Sequence, residues 1–376
     1  MLLTAFHLIL CFCLAYGQEK LLVSGYNNEM NIYCCSDSNH SMSKAAAWPV
    51  DTNLTWLQLP SSGWLGPGHD LYAVHEVSFY SPGQNASGRA GGAVSRWTYG
   101  GGSITRQEWV SVGKGPAHLL VDSRPQYGGF AYTANYGDGT WSVVSLDQGT
   151  GRLGKNIKTW NYTTSSCPRG SHPHNTVVWG SHIWVVDLGC DMIHHHWWTG
   201  SVLWEGNSTS VGQGRGPRHM VLHPWRNIAF VVCELQNYLD VYEFDTKYGK
   251  MTKLQEVALT SQTTNAGAEI VLVDTGLDLN IYVSSRGVGI IEFFKMKGTE
   301  DKVTKEQEFL LVGTWPRHMT LHPSKMLLAV GDQKRNSVEL VNIDSETGHL
   351  SAGTIIQHRD GPKQPSFLAF FQTWEV

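Results

Sequence analysis

Charge is scarce in this chain. Only 16% of its 376 residues are Asp, Glu, Lys or Arg, and the net charge is −4; an ordinary soluble domain carries about 25%. There is no basic block, which excludes the electrostatic footprint of a nucleic-acid binder. Beyond the first 17 residues no apolar run approaches the roughly 18 residues needed to cross a bilayer, so the mature chain reads as soluble, with no membrane partner. A sustained 3.6-residue apolar period is missing as well, which excludes a coiled coil. In place of charge stand 40 Gly, 15 Trp and 14 Tyr. That composition excludes a disordered chain and fits turn-rich β-structure packed through aromatic side chains.

The first residues carry an address. Met1 to Ala15 form a short apolar run, and Ala15-Tyr16-Gly17 offers small residues for cleavage before Gln18. Residues 1–17 therefore read as a signal peptide and 18–376 as one mature domain. Five N-x-S/T sequons, at Asn39, Asn53, Asn85, Asn161 and Asn207, agree with a secreted, extracellular glycoprotein. Five cysteines remain after the leader: Cys34, Cys35, Cys167, Cys190 and Cys233. An odd count in an oxidising compartment leaves at least one thiol over. Cys167 with Cys190 is the expected disulfide, and Cys233, inside the apolar run FVVCEL, the expected free thiol. Adjacent Cys34 and Cys35 leave a vicinal bridge open.

One phrase recurs: GPAHLLVD at 115–122, GPRHMVLHP at 216–224 and WPRHMTLHP at 315–323. Its prolines, Pro116, Pro217 and Pro316, stand about 100 residues apart, and PHNTVVW and GAEIVLVD fall midway, so the period is about 50 residues and the mature chain holds about seven. Each period runs through a strand after the phrase, a second such as IAFVVCEL or LNIYVSSR, a third such as LDVYEF or GIIEFF, and a weaker fourth. Alternation and Gly/Asn/Asp turns mark all four as β. The expectation is an all-β, seven-bladed β-propeller with four-stranded antiparallel blades. LLVSG near the N-terminus and PSFLAFF at 365–371 are each incomplete; joined, they close the last blade and hide two sheet edges.

Antiparallel pairing puts the start of a blade's first strand beside the end of its second, at one face of the channel. His174 and Arg218 start first strands, Glu234 ends a second and Arg286 ends another one blade on. These four are the candidate catalytic residues.

The run GRGPRHMVLHPWRNIAFVVCELQNYLDVYEF (214–244) resembles the signature blade of the lactonase seven-bladed propellers. That family includes cycloisomerase-like 6-phosphogluconolactonases and carboxy-cis,cis-muconate cyclases. SHPHNTVVW, NAGAEIVLVD, IYVSSRGVGIIEFF and ANYGDGTWSVVSL extend the resemblance over the mature chain. The family's active-site His, Arg, Glu and Arg fall on His174, Arg218, Glu234 and Arg286. The chain departs from the family at Asn175-Thr176, where Ser-Ala is usual, at Cys233, where Asn is frequent, and in the turn DTGLDLN. The resemblance implies hydrolysis of a small sugar lactone, with a lactone or organic acid as partner and no cofactor or metal.

Glu234 or a neutral His174 suits a general base, and the two arginines suit an oxyanion or a substrate anion. His219, Arg317 and Glu269 form a second tier of substrate-binding candidates. Blander readings stand beside these: an Arg218–Glu234 structural pair, an Arg286–Glu269 pair, and an exposed Trp197-Trp198 patch. The run His194-His195-His196 does not predict a metal site, because consecutive strand residues face opposite ways. Two other functions compete, a non-catalytic propeller binding glycans or proteins and a muconate-type lactonizing cyclase. The cyclase would enlist Arg317.

Overall fold

The computed structural model describes residues 19–35, 42–50, 52–59, 64–65, 70–80, 89–165, 167–260, 266–357 and 363–373. The segment expected to be a leader and the sequons at Asn39 and Asn85 lie outside these residues.

Seven antiparallel sheets of four principal strands stand around an axis. From the inside outward, blade 1 is Leu54–Gln58, Leu71–His75, Ala93–Gly100 and Ser103–Ser111; blade 2 is Pro116–Asp122, Phe130–Asn135, Thr140–Leu146 and Leu153–Asn161. Blade 3 is Pro173–Trp179, His182–Asp187, Met192–Thr199 and Val202–Glu205; blade 4 is Pro217–Leu222, Ile228–Cys233, Tyr238–Phe244 and Met251–Ala258. Blade 5 is Ala266–Asp274, Asp278–Arg286, Ile290–Lys297 and Val303–Leu310; blade 6 is Pro316–Leu321, Leu327–Asp332, Ser337–Ile343 and Leu350–Gln357. Blade 7 takes its inner strand, Pro365–Thr373, from the C-terminal end and Glu19–Gly25, Glu29–Cys35 and Met42–Pro49 from the N-terminal end. Leu22 pairs with Ala369 across that join, so the closure expected from LLVSG and PSFLAFF is present.

The second strand of each blade is buried on both faces, and its alternation divides it between neighbours. In IAFVVC, Ile228, Phe230 and Val232 pack toward blade 5, while Ala229, Val231 and Cys233 pack toward blade 3. Among the described residues the apolar core is accordingly seven clusters, one per blade interface. The turn from second to third strand ends on a left-handed residue, Gly139, Asp191, Asn237, Gly289 or Asn336. Such residues are Gly, Asn and Asp because other side chains clash there.

Cys167 and Cys190 form a disulfide, and Cys34 and Cys233 are free thiols, so no vicinal bridge is made. The exposed tryptophan pair is not found. Trp198 is buried, stacked on Phe130 with ring centres 4.4 Å apart, and donates its indole N–H to Tyr132. No helix among the described residues is long and apolar enough to cross a membrane.

Candidate functional site

A bulge at the start of each inner strand builds the channel mouth. In blade 4, Pro217 lies opposite Cys233 and His219 opposite Val232, so Arg218 is the extra residue. A regular strand sends Arg218 and His219 to opposite faces; the bulge re-aims one of them, and both are buried. The same shift frees Thr55, Ala117, His174 and Arg317 in blades 1, 2, 3 and 6. One residue further on, Trp56, His118, Asn175, His219 and His318 line the channel below, joined by Glu269 and Phe367.

In the upper layer the expected quartet comes together. Glu234 follows the second strand of blade 4 directly and is tied down by its N–H to the carbonyl of Gly216 at 2.7 Å. Its Oε2 lies 3.1 Å from Nε of Arg218 and 2.6 Å from Nη2 of Arg286. Arg218 also donates to the Ala268 carbonyl at 2.6 Å, and Arg286 lies over the Trp315 ring. His174 presents its ring edge-on to Tyr136, with centres 5.8 Å apart. Across the mouth, Arg317 donates to the Tyr26 hydroxyl at 2.9 Å, and Tyr26 donates to Glu76 at 2.8 Å.

Tyr26, Glu76 and Tyr136 escaped the sequence reading. Each directly follows a second strand, the position that singled out Glu234, and that position was the signal available. The Arg286–Glu269 pair of the blander reading is not formed. Arg286 reaches Glu234 instead, and Glu269 sits one layer down, 2.7 Å from Nδ1 of His219. The Arg218–Glu234 pair is present, and Arg286 shares it.

Burial sets the charges. Removal from water and the neighbouring Arg218 hold His174 well below the ordinary histidine range, so it is neutral. Burial, with Arg286 and Arg317 close by, pushes Arg218 down to about 9, still charged at neutral pH. Burial raises Glu269, opposed by His318 and Arg218. The mouth thus holds three guanidinium groups, two carboxylates and a neutral imidazole, a set able to bind an anion or a developing oxyanion and to accept a proton.

The remaining candidates lie elsewhere. His194 and His196 face one side of their strand, meeting Asp187 at 3.1 Å and the Tyr162 hydroxyl at 2.6 Å, while His195 faces the other and bonds His182 at 2.9 Å. Asp187, Cys190 and His194 bring ligand atoms within 4.8 Å of one another. They do not suit a metal, because Cys190 is in the disulfide and Asp187 already accepts from Ser171 and the N–H groups of His172, Gly189 and Cys190. Asn161 and Asn207 are exposed and Asn53 is half-buried.

Buried neutral histidines give the fold an acid limit. Burial depresses His75 and His318 to about 4 and His196 to about 3. Unfolded, they would take up protons near pH 6.5. Between that pH and about 4 the unfolded chain binds more protons, so stability falls on acidification, by up to about 1.4 kcal/mol per pH unit for each histidine. Urea melts at pH 7 and 5 should show the midpoint dropping; equal midpoints would mean these rings are already charged when folded.

The family model described as lactonase, 7-bladed beta-propeller, matches residues 26–362. A 6-phosphogluconolactonase of Bacillus subtilis is 27% identical over 277 residues, covering 71% of this chain and 78% of the relative. A solved protein of Lactobacillus plantarum superposes with a TM-score of 0.80 at 24% identity, over 94% of this chain and 100% of that one. The periplasmic gluconolactonase of Pseudomonas aeruginosa superposes with a TM-score of 0.78 at 18% identity, over 94% and 99%.

Proposed function

The chain belongs to the lactonase family of seven-bladed β-propellers, and we propose that it is a secreted enzyme that opens a small sugar lactone with water at the upper channel mouth. The observation that carries this reading is Glu234 held between Arg218 and Arg286 beside a neutral His174. Ring opening needs a water deprotonated as it attacks and the carbonyl oxygen stabilised as it becomes an oxyanion. Arg218 and Arg286 supply fixed donors for that oxygen, Glu234 holds both forks in place, and His174 takes the proton. Arg317, held by Tyr26 and Glu76, adds a third guanidinium for the hydroxyls or an anionic group of the substrate. Secretion is supported by the apolar N-terminal run, the exposed sequons and the disulfide.

Arg317 also favours a second reading, closure of a lactone onto a muconate-type tricarboxylate, which needs more than two cations in the mouth. The test is turnover of a panel by the purified secreted protein: phosphorylated and plain gluconolactones, γ-lactones and muconolactones, with Arg218→Ala and Glu234→Ala alongside. Hydrolysis lost in both folded variants is expected. No hydrolysis above background on any member would leave a propeller that binds glycans or proteins without catalysis.

A further inference from the structure

Below the mouth a second polar layer crosses the channel. Glu269 accepts the N–H of Ile270 on Oε1 at 3.0 Å, and Nδ1 of His219 lies 2.7 Å from the same oxygen. Nε2 of His318 lies 3.5 Å from Oε2. The N–H of Leu368 donates to Nδ1 of His318 at 3.1 Å, which leaves the His318 proton on Nε2, facing Glu269. As a carboxylate, Glu269 therefore also takes the N–H of His219 at Nδ1, and Nε2 of His219 keeps a lone pair. That nitrogen is buried with no hydrogen-bond partner, and so is Nδ1 of His174. The two rings have centres 5.0 Å apart. No hydrogen bond joins them as they stand, but the pair His182–His195, with ring centres 5.1 Å apart, bonds nitrogen to nitrogen at 2.9 Å, so at this separation ring rotation can bring the two nitrogens together.

We infer that His219 and Glu269 are positioning residues for the reaction, completing with His174 a proton path from the mouth to a buried carboxylate. The inference rests on the lactonase reading and deepens it. A proton left on His174 would stand as an imidazolium facing Arg218, Arg286 and Arg317, with Tyr136 and His219 as its other neighbours. Passing it inward removes that repulsion. The water O–H bond breaks as its oxygen bonds the lactone carbonyl carbon, and the proton goes to Nε2 of His174. A rotation of the His174 ring brings its Nδ1 to Nε2 of His219; the proton on Nδ1 moves across, and the one on Nδ1 of His219 goes to Oε1 of Glu269. Both rings end neutral and Glu269 ends as the acid. When the tetrahedral intermediate collapses, the same path returns the proton to the departing ring oxygen, giving the hydroxy acid.

The surroundings of Glu269 suit this. His219 and His318 flank it, Arg218 and Arg317 act from further off, and His118 stands beside His219. Trp56 packs against His118, His219 and His318 with ring centres 4.5, 5.3 and 5.2 Å away, which holds the two histidines that flank Glu269 in place. Burial raises the proton affinity of the Glu269 carboxyl.

The test uses the full secreted protein and whichever lactone it turns over. Glu269→Gln keeps the shape and removes the charge. It is expected to lower kcat about 100-fold with KM within about threefold, and to move the acid limb of the kcat profile to lower pH, because the ring left as base resists protonation. Glu269→Asp should recover part of the loss. Nitrogen-15 NMR of the wild type, which needs no variant to fold, should find His219 protonated at Nδ1. A Glu269→Gln protein with kcat within threefold of wild type and an unmoved limb would overturn the proton path and leave the lactonase reading intact; so would His219 protonated at Nε2. A wild type that opens no lactone fails the underlying reading, and the path falls with it.

Discussion

Replacing Arg218 by methionine is expected to lower kcat/KM by about 10²–10³-fold while costing little stability, whereas Glu234→Ala should lose activity and about 3–5 kcal/mol of stability together. The asymmetry follows from who remains paired. With Arg218 gone, Glu234 keeps Arg286 at 2.6 Å, and methionine fills much of the volume of the arginine stem. With Glu234 gone, two guanidinium groups whose side chains are 3% and 7% exposed are left without their carboxylate. Arg218 is already pushed down to about 9 by burial and its cationic neighbours, so it can bear little further loss. Urea denaturation of both single variants and the double variant would measure the coupling. A Glu234→Ala protein within 1 kcal/mol of wild type would mean that water, not Glu234, neutralises the pair. An Arg218→Met enzyme with wild-type kcat/KM would remove Arg218 from the chemistry.

Repetition made most of this architecture legible. The phrase around Pro116, Pro217 and Pro316 marks the inner strand of its blade, and one rule of antiparallel pairing located His174, Arg218, Glu234 and Arg286. The rule reached no further than the regular blades. Tyr26 belongs to blade 7, where the chain is cut by closure, and Glu76 to blade 1, which lacks the phrase, yet both hold the place that Glu234 holds in blade 4. The bulges were invisible because alternation assigns Arg218 and His219 to opposite faces, and only the register beside Cys233 and Val232 brings both to the channel. The alternative that paired Glu269 with Arg286 fails for a related reason. Its blade shifts register between Gly267 and Ile270, which lowers it one layer, and its bond to His219 spans 50 residues. Contacts between blades are set by the closed ring, not by any local period.

Closure itself carries the other large expected effect. A chain ending at residue 363 is expected not to fold. Residues 365–373 form the inner strand of blade 7, and without them Glu19–Gly25 becomes an unpaired edge facing the channel. Phe367, Leu368, Phe370 and Phe371, each under 9% exposed, also leave the interfaces with blades 6 and 1. Burying such side chains is worth about 1.5–3 kcal/mol each, so their joint loss is about as large as the whole stability of a typical domain, 5–15 kcal/mol. The exposed edge and apolar faces should then pair between chains. Gel filtration and circular dichroism of the truncated protein should show aggregate or unfolded chain. Leu368→Ala, which keeps the strand and removes one buried side chain, should fold with a loss of about 2–5 kcal/mol. A truncated chain that stays monomeric and melts within a few degrees of the full-length protein would show that six blades and an incomplete seventh hold the ring. In that case the pairing of Leu22 with Ala369 would be a consequence of a ring already closed by the blade interfaces, not the contact that closes it.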